Sequence, residues 1–182
     1  MILVRHGQSH FNVHFHVTRE DPGLVDPGLT EDGVLQAKAA AETLRDEDIG
    51  RILASPYTRT LETASIIAES LALPIKIEAV VRERAYFTCD IGTPRSELAE
   101  RWPNLAFDHL EEQWWPNLDE TEAQVDERCR RFRNHMAGQD DWSRVLVVTH
   151  WGFIRGLTGR EVHNGAILRF HPHEGHSQEL ER

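Results

Sequence analysis

Unbroken apolar runs and one-sided apolar stripes alternate along this chain, predicting strands that alternate with helices. Met1–Arg5 reads as a strand, as does Arg51–Ser55. Thr30 precedes Glu31 and Asp32, the acidic first turn that a helix macrodipole favours, so a helix begins there. Leu61, Ala64, Ala68 and Leu71 stripe one face of a helix over 58–71, which Leu73-Pro74 ends. Ile75 and Ile77 suggest a short strand, and Val125, Cys129, Phe132 and Met136 stripe a further helix. Arg144–Thr149 contains Val-Leu-Val-Val, the unbroken apolarity of a strand buried on both faces. A helix from Trp151 and a final strand, Ala166–Phe170, close the pattern. Such alternation implies an α/β fold with a largely parallel sheet.

Two stretches resist this pattern. Residues 13–28 read as a polar loop with Pro22, Gly23, Pro27 and Gly28, and residues 84–118 are irregular and carry Trp102, Trp114 and Trp115. Loops of that length are commonly lids or binding loops, and 84–118 is expected to be a lid or insert. Trp114 and Trp115 are expected to pack rather than to stack on a ligand. The length of 182 residues predicts a single domain spanning 1–182 with a substantial core.

Charge narrows the functions. A net charge of −10 argues against nucleic acid as a partner, and no apolar run is long enough for a membrane span. No signal-peptide pattern opens the chain, and two cysteines, Cys89 and Cys129, form no disulfide framework, so a reduced, cytoplasmic setting is expected. Of the 20 cations only Lys38 and Lys76 are lysines, leaving 18 arginines able to bind phosphate bidentately.

Candidate chemistry gathers where strands end. Arg5-His6-Gly7 follows the first strand, Arg59 sits in the first turn of the 58–71 helix, and His150 follows the most apolar strand. Arginine in a first helical turn opposes the macrodipole and needs a compensating reason. Arg82-Glu83-Arg84 places a carboxylate among cations. One histidine at a strand end is usually an ordinary paired polar residue. Two histidines, two arginines and a glutamate in ordered motifs argue instead for an anion-handling site.

These motifs resemble the histidine phosphatase superfamily, in its phosphoglycerate-mutase-like branch. The resemblance rests on Arg5-His6-Gly7-Gln8-Ser9 with Asn12, Asp26…Leu29-Thr30…Gly33…Gln36-Ala37, and Ser55-Pro56 with Arg59-Thr60 and Thr63-Ala64. Glu83, Glu120-Thr121 with Arg128, Val148-Thr149-His150 with Gly152, and Asn164-Gly165-Ala166 extend it over nearly the whole chain. It implies a three-layer α/β/α sandwich around a mostly parallel sheet. It further implies a small phosphorylated substrate, a phosphohistidine at His6, and a phosphate pocket of Arg5, Arg59 and His150. Glu83 would be general acid and base, and Asn12, with the backbone N–H of Trp151, would add neutral donors. Trp151, Arg84 and Tyr86 would contact substrate.

The chain departs from the family where Trp151 replaces a small residue and where Phe87, Thr88 and Cys89 replace a glycine-containing stretch. His14 and His16, and His171, His173 and His176, invite a metal reading, but neither cluster has convergent ligand spacing. No metal and no cofactor are expected; His14 and His16 are expected at the pocket rim, and His171–His176 as a polar tail. Glu83-Arg84-x-Tyr86 is similar to the cofactor-dependent mutases. The lysine and paired arginines of their insert are missing, so a phosphomonoester phosphatase is expected over a mutase. A non-catalytic phosphoryl-binding module would be signalled by loss of His6 or Glu83, and both are present.

Overall fold

The computed structural model describes residues 1–180. One six-stranded sheet runs through it, built from β1 (Ile2–Arg5), β2 (Arg51–Ala54), β3 (Ile75–Ile77), β4 (Val145–Thr149), β5 (Ile167–His171) and β6 (His176–Glu179). The spatial order is β3-β2-β4-β1-β5-β6. The first four of these are mutually parallel, β5 pairs antiparallel with β1, and β6 pairs antiparallel with β5, so the sheet is mixed and largely parallel.

Period-two alternation explains the layers. Leu3, Leu53, Val145 and Val147 face α5 (Glu122–Ala137) and α6 (Trp151–Thr158), joining Cys129, Phe132, Phe153 and Ile154 in one core. Val4, Ile52, Leu146 and Val148 face α2 (Glu31–Thr43) and α3 (Thr58–Leu71), meeting Ala40, Ala41, Ala64 and Ile67. Helices on both faces give the three-layer sandwich expected of the chain. No described helix is long and apolar enough to cross a membrane.

Three sequence expectations need correction. Residues 13–28 are not all loop, because α1 spans His10–Thr18. Ser9 caps it and forms a reciprocal capping box with Asn12, and left-handed Arg19 ends it. Its apolar face is only Phe11 and Phe15, too narrow a stripe to read as a helix from periodicity. Residues 84–118 also contain order: a 3₁₀ turn at Thr88–Asp90 and α4 at Arg95–Arg101. Within that stretch Trp114 packs edge-on against Tyr57 at 4.7 Å, and its indole N–H donates to the Thr93 carbonyl. Third, His171–His176 is no tail but the turn of the β5–β6 hairpin, with the His171 and His173 rings against Trp142 at 4.6 and 5.8 Å.

Candidate active site

Both histidines stand at the carboxyl ends of adjacent central strands, since β1 and β4 pair in parallel with Arg5 opposite Thr149. The next residues, His6 and His150, leave the sheet together, and the His6 amide donates to the Thr149 carbonyl at 2.9 Å. Their ring centroids lie 5.2 Å apart. His6 Nδ1 is 2.7 Å from the Gly7 carbonyl, which can only accept, so the proton sits on Nδ1 and Nε2 keeps its lone pair. The turn after His6 is tight. A Cβ on Gly7 would lie 2.2 Å from the Gly33 carbonyl at the start of α2, so only glycine lets these backbones meet.

Burial sets the protonation of this pair. His6 is 3% exposed and His150 fully enclosed. Desolvation, reinforced by Arg59 and Arg5 for His6 and by Arg59 and His6 for His150, holds both well below the ordinary imidazole range. Both rings are therefore neutral at pH 7. His150 Nε2 contacts Ser55 Oγ at 2.8 Å, while its Nδ1 is buried without a hydrogen-bond partner. Arg5 donates through Nη1 to the Val162 carbonyl, and its Nε is likewise buried and unpartnered. Burial lowers Arg5 to about 10, which leaves it charged. Buried polar atoms are normally paired. These two nitrogens, on residues next to His6, are exceptions.

Arg59 has its compensating reason in Asp90. The buried guanidinium donates to the Cys89 carbonyl at 2.9 Å and to Asp90 Oδ1 at 3.1 Å. Burial opposes its charge, but surrounding groups, Asp90 among them, raise it overall. Asp26 caps the same helix from a distance, accepting from the Thr58 amide and hydroxyl. Asp90 was not singled out from the sequence; its only signal was a carboxylate seven residues beyond Glu83.

Glu83 is seated by α6. Its Oε1 accepts from the Arg84 and Gly152 amides, each at 2.8 Å, and a Cβ on Gly152 would lie 2.2 Å from that oxygen. Burial and then Asp90 raise its proton affinity, against the two amides and Arg59, and the balance lies above the usual carboxylate range. Behind it, buried Arg128 donates to Glu120 at 3.0 Å and to the carbonyls of Val80, Arg82 and Glu83. Glu120 also accepts from Arg82 and from the Ala85 amide. Residues 80–85 are thus gripped from the side opposite the cavity. Glu120 and Arg128 were visible as motif positions, but nothing in their spacing disclosed this grip.

A cavity of about 1150 Å³ opens over these groups. Arg5, His6, Asn12, Arg59, Glu83, Arg84, Tyr86 and Trp151 all line it; His150 lies immediately behind His6 and does not. Asn12 Oδ1 accepts from the Ser9 amide and from Asn164 Nδ2, which leaves the Asn12 amide nitrogen as its donor toward a ligand. Asn164 also reaches the His6 carbonyl at 3.2 Å and joins α1 to the His6 turn. His16 belongs to the cavity lining, and His14 does not. Sequence reading missed one wall altogether: Phe11, Phe15 and Phe87. Among the described residues, no group of three or more His, Cys, Asp or Glu side chains could hold a metal ion.

This constellation has close relatives. The sequence matches the histidine phosphatase superfamily (branch 1) over residues 1–181. It is 36% identical over 170 residues to the 2,3-bisphosphoglycerate-dependent phosphoglycerate mutase of Methylobacterium radiotolerans, covering 86% of this chain and 76% of that protein. It is 27% identical over 187 residues to the glucosyl-3-phosphoglycerate phosphatase of Mycolicibacterium vanbaalenii, covering 92% and 78%. The chain spans about half, 47%, of the length of several mycobacterial relatives that are 31% identical to it. Among solved structures, Bacillus stearothermophilus YhfR superposes with a TM-score of 0.67 at 22% identity, covering 98% of this chain and 93% of that one, a likeness of fold. With the family matched from end to end and its ordered motifs gathered at the carboxyl end of one sheet, this chain belongs to the histidine phosphatase superfamily, in its phosphoglycerate-mutase-like branch.

Proposed function

We propose that this protein is a phosphomonoester phosphatase working through a phosphohistidine at His6. The observation that carries the reading is the neutral His6 ring, fixed by its Nδ1–H bond to Gly7, with its Nε2 lone pair free and Arg5 and Arg59 beside it. Nε2 attacks phosphorus as the bond from phosphorus to the ester oxygen breaks, and Glu83, half-buried and raised in proton affinity, gives its proton to the departing alcohol. Arg5 and Arg59, which line the cavity, hold the non-bridging oxygens, where charge spreads in the transition state, and His150 backs His6. Asn12 adds a neutral donor, and Trp151, Arg84 and Tyr86 meet the alcohol portion. Water then attacks the phosphohistidine, Glu83 takes the water proton, and the phosphorus–nitrogen bond breaks to release phosphate and neutral His6.

Related proteins include both phosphatases and mutases. A mutase must hold a bisphosphorylated species, which calls for cations beyond those at His6. Two of the three outer arginines are already engaged: Arg84 with Glu122 at 3.4 Å, and Arg155 with Glu122 and Glu161 at 3.5 and 3.8 Å. That favours transfer to water. The test supplies 3-phosphoglycerate with and without 2,3-bisphosphoglycerate and follows phosphate release and isomerisation together. Phosphate release should be the faster process in both conditions. Isomerisation ahead by tenfold, a margin of about 1.4 kcal/mol in barrier, would make the protein a mutase.

A further inference from the structure

We infer that the outer part of the cavity is a subsite for an uncharged, flat apolar leaving group, so that esters of aromatic alcohols are preferred to esters whose alcohol carries a carboxylate or second phosphate. The inference rests on the phosphatase reading and deepens it.

The first support is a continuous aromatic wall. Phe11 and Phe15, one helical turn apart on α1, stack at 5.2 Å with their planes 16° apart. Phe87, four residues beyond Glu83, packs on both at 5.5 and 5.0 Å, and Tyr86 stands edge-on to Phe87 at 5.0 Å. All four line the same cavity as His6, and Phe15, Phe87 and Tyr86 keep exposed surface there, Tyr86 as much as 55%. Trp151 adds a fifth ring at the first residue of α6. Stacked and edge-on rings at these spacings are the arrangements an added ring can extend.

Charge supplies the second support. Arg19, Arg84 and Arg155 and the carboxylates of Glu122, Asp126 and Glu161 line the outer cavity, three of each sign. Arg84 and Arg155 are held by Glu122 and Glu161, and Arg84 Nε donates to the Glu120 carbonyl. Arg19 sits exposed near Phe15, its guanidinium 5.9 Å from that ring. At Arg84 and Arg155 an incoming carboxylate would have to displace a carboxylate already in place or lie beside one, whereas an apolar ring disturbs no ion pair. The phosphoryl end therefore supplies cations for one phosphate, and the outer end supplies area.

The experiment compares 2-phenylethyl phosphate with ethyl phosphate and 3-phosphoglycerate, reading kcat/KM by phosphate release. The first two leave as alcohols of similar acidity, so Glu83 does equal work for both and their ratio reports the ring alone. Burying a phenyl ring against this wall should raise kcat/KM on the order of tenfold to a hundredfold over ethyl phosphate. 3-Phosphoglycerate should fall below 2-phenylethyl phosphate. In Phe15→Ala and Phe87→Ala the ratio should collapse to within about threefold, the range left when little apolar area is removed from water. General damage to the fold would lower both esters together and keep the ratio, which would place the ring elsewhere and overturn the inference. A wild-type ratio near one, or preference for 3-phosphoglycerate, overturns it while leaving the phosphatase reading intact. Phosphate released from none of the three overturns both.

Discussion

At the inner end of the cavity His6 and Arg59 are each 3% exposed, His6 following β1 and Arg59 in the first turn of α3, with fully enclosed His150 behind His6 at the end of β4. At the outer end Tyr86 and Arg155 are exposed and project from the loop after Glu83 and from the solvent side of α6. Backbone topology dictates the first arrangement: parallel strands bring their carboxyl ends together whatever side chains follow them. Local choices of ring and charge dictate the second. On the proposed reading, reaction class is carried by the sheet, and substrate preference by α1, α6 and the loop after Glu83.

The sharpest way to probe the inner end is Glu83, the proton donor proposed for it. Glu83→Gln keeps the shape and removes the proton, and should cost about 10²–10⁴-fold in kcat with alkyl esters. With an aryl ester of low leaving-group pKa the loss should shrink, because departure then needs little protonation. Equal losses for both ester classes, measured while transfer to His6 limits the rate, would move the proton donor elsewhere. The grip behind Glu83 comes next. Arg128→Met leaves Glu120 buried with only Arg82 and the Ala85 amide as partners and should cost about 1–3 kcal/mol in urea unfolding. Among molecules still folded, alkyl-ester turnover should fall more than aryl-ester turnover, since residues 80–85 lose the carbonyl bonds that place Glu83. A uniform loss across both esters would assign Arg128 to stability alone.

A smaller effect tests whether burial keeps the inner histidines neutral. The folded state depresses the proton affinity of His150, whereas the unfolded chain protonates near 6.5. Its stabilising contribution is thus complete above 6.5 and is lost as pH falls from there toward its folded value. The loss amounts to about 1.4 kcal/mol per pH unit. Unfolding free energies measured from pH 7 to pH 5 should decline less steeply in His150→Asn by about that slope. Parallel declines in the two proteins would mean that the ring is not held neutral. The smallest expected effect is that of chelation. On the proposed mechanism His6 and the arginines supply nucleophile and charge, so EDTA followed by dialysis should leave turnover within about twofold. A large loss restored by one divalent ion would break the assignment.

Legibility followed the same division. Periodicity located α3 over its observed span, and it located β4 to within a residue, because long stripes and buried apolar runs are strong signals. The ordered Arg5-His6-Gly7, Arg59 and Glu83 motifs pointed to residues that line one cavity, with His150 packed against His6 outside its lining. Long-range pairing was not legible. Asp90 meets Arg59 across 31 positions and Asn164 meets Asn12 across 152, and no local pattern encodes either contact. α1 was missed because its stability comes from the Ser9–Asn12 capping box and two phenylalanines rather than from a broad apolar face. The β5–β6 hairpin was missed because β6, His-Ser-Gln-Glu, carries no apolar alternation and is held by its register with β5.

The central claim is that phosphoryl transfer goes through His6, and one measurement meets it directly. The protein is mixed briefly with ³²P-labelled ester, quenched in alkali, digested, and its labelled peptides sequenced. Acid-labile, alkali-stable label should appear on the N-terminal peptide at His6, and none should appear there in His6→Ala. Label on another residue, or label in His6→Ala at the wild-type level, would contradict the account.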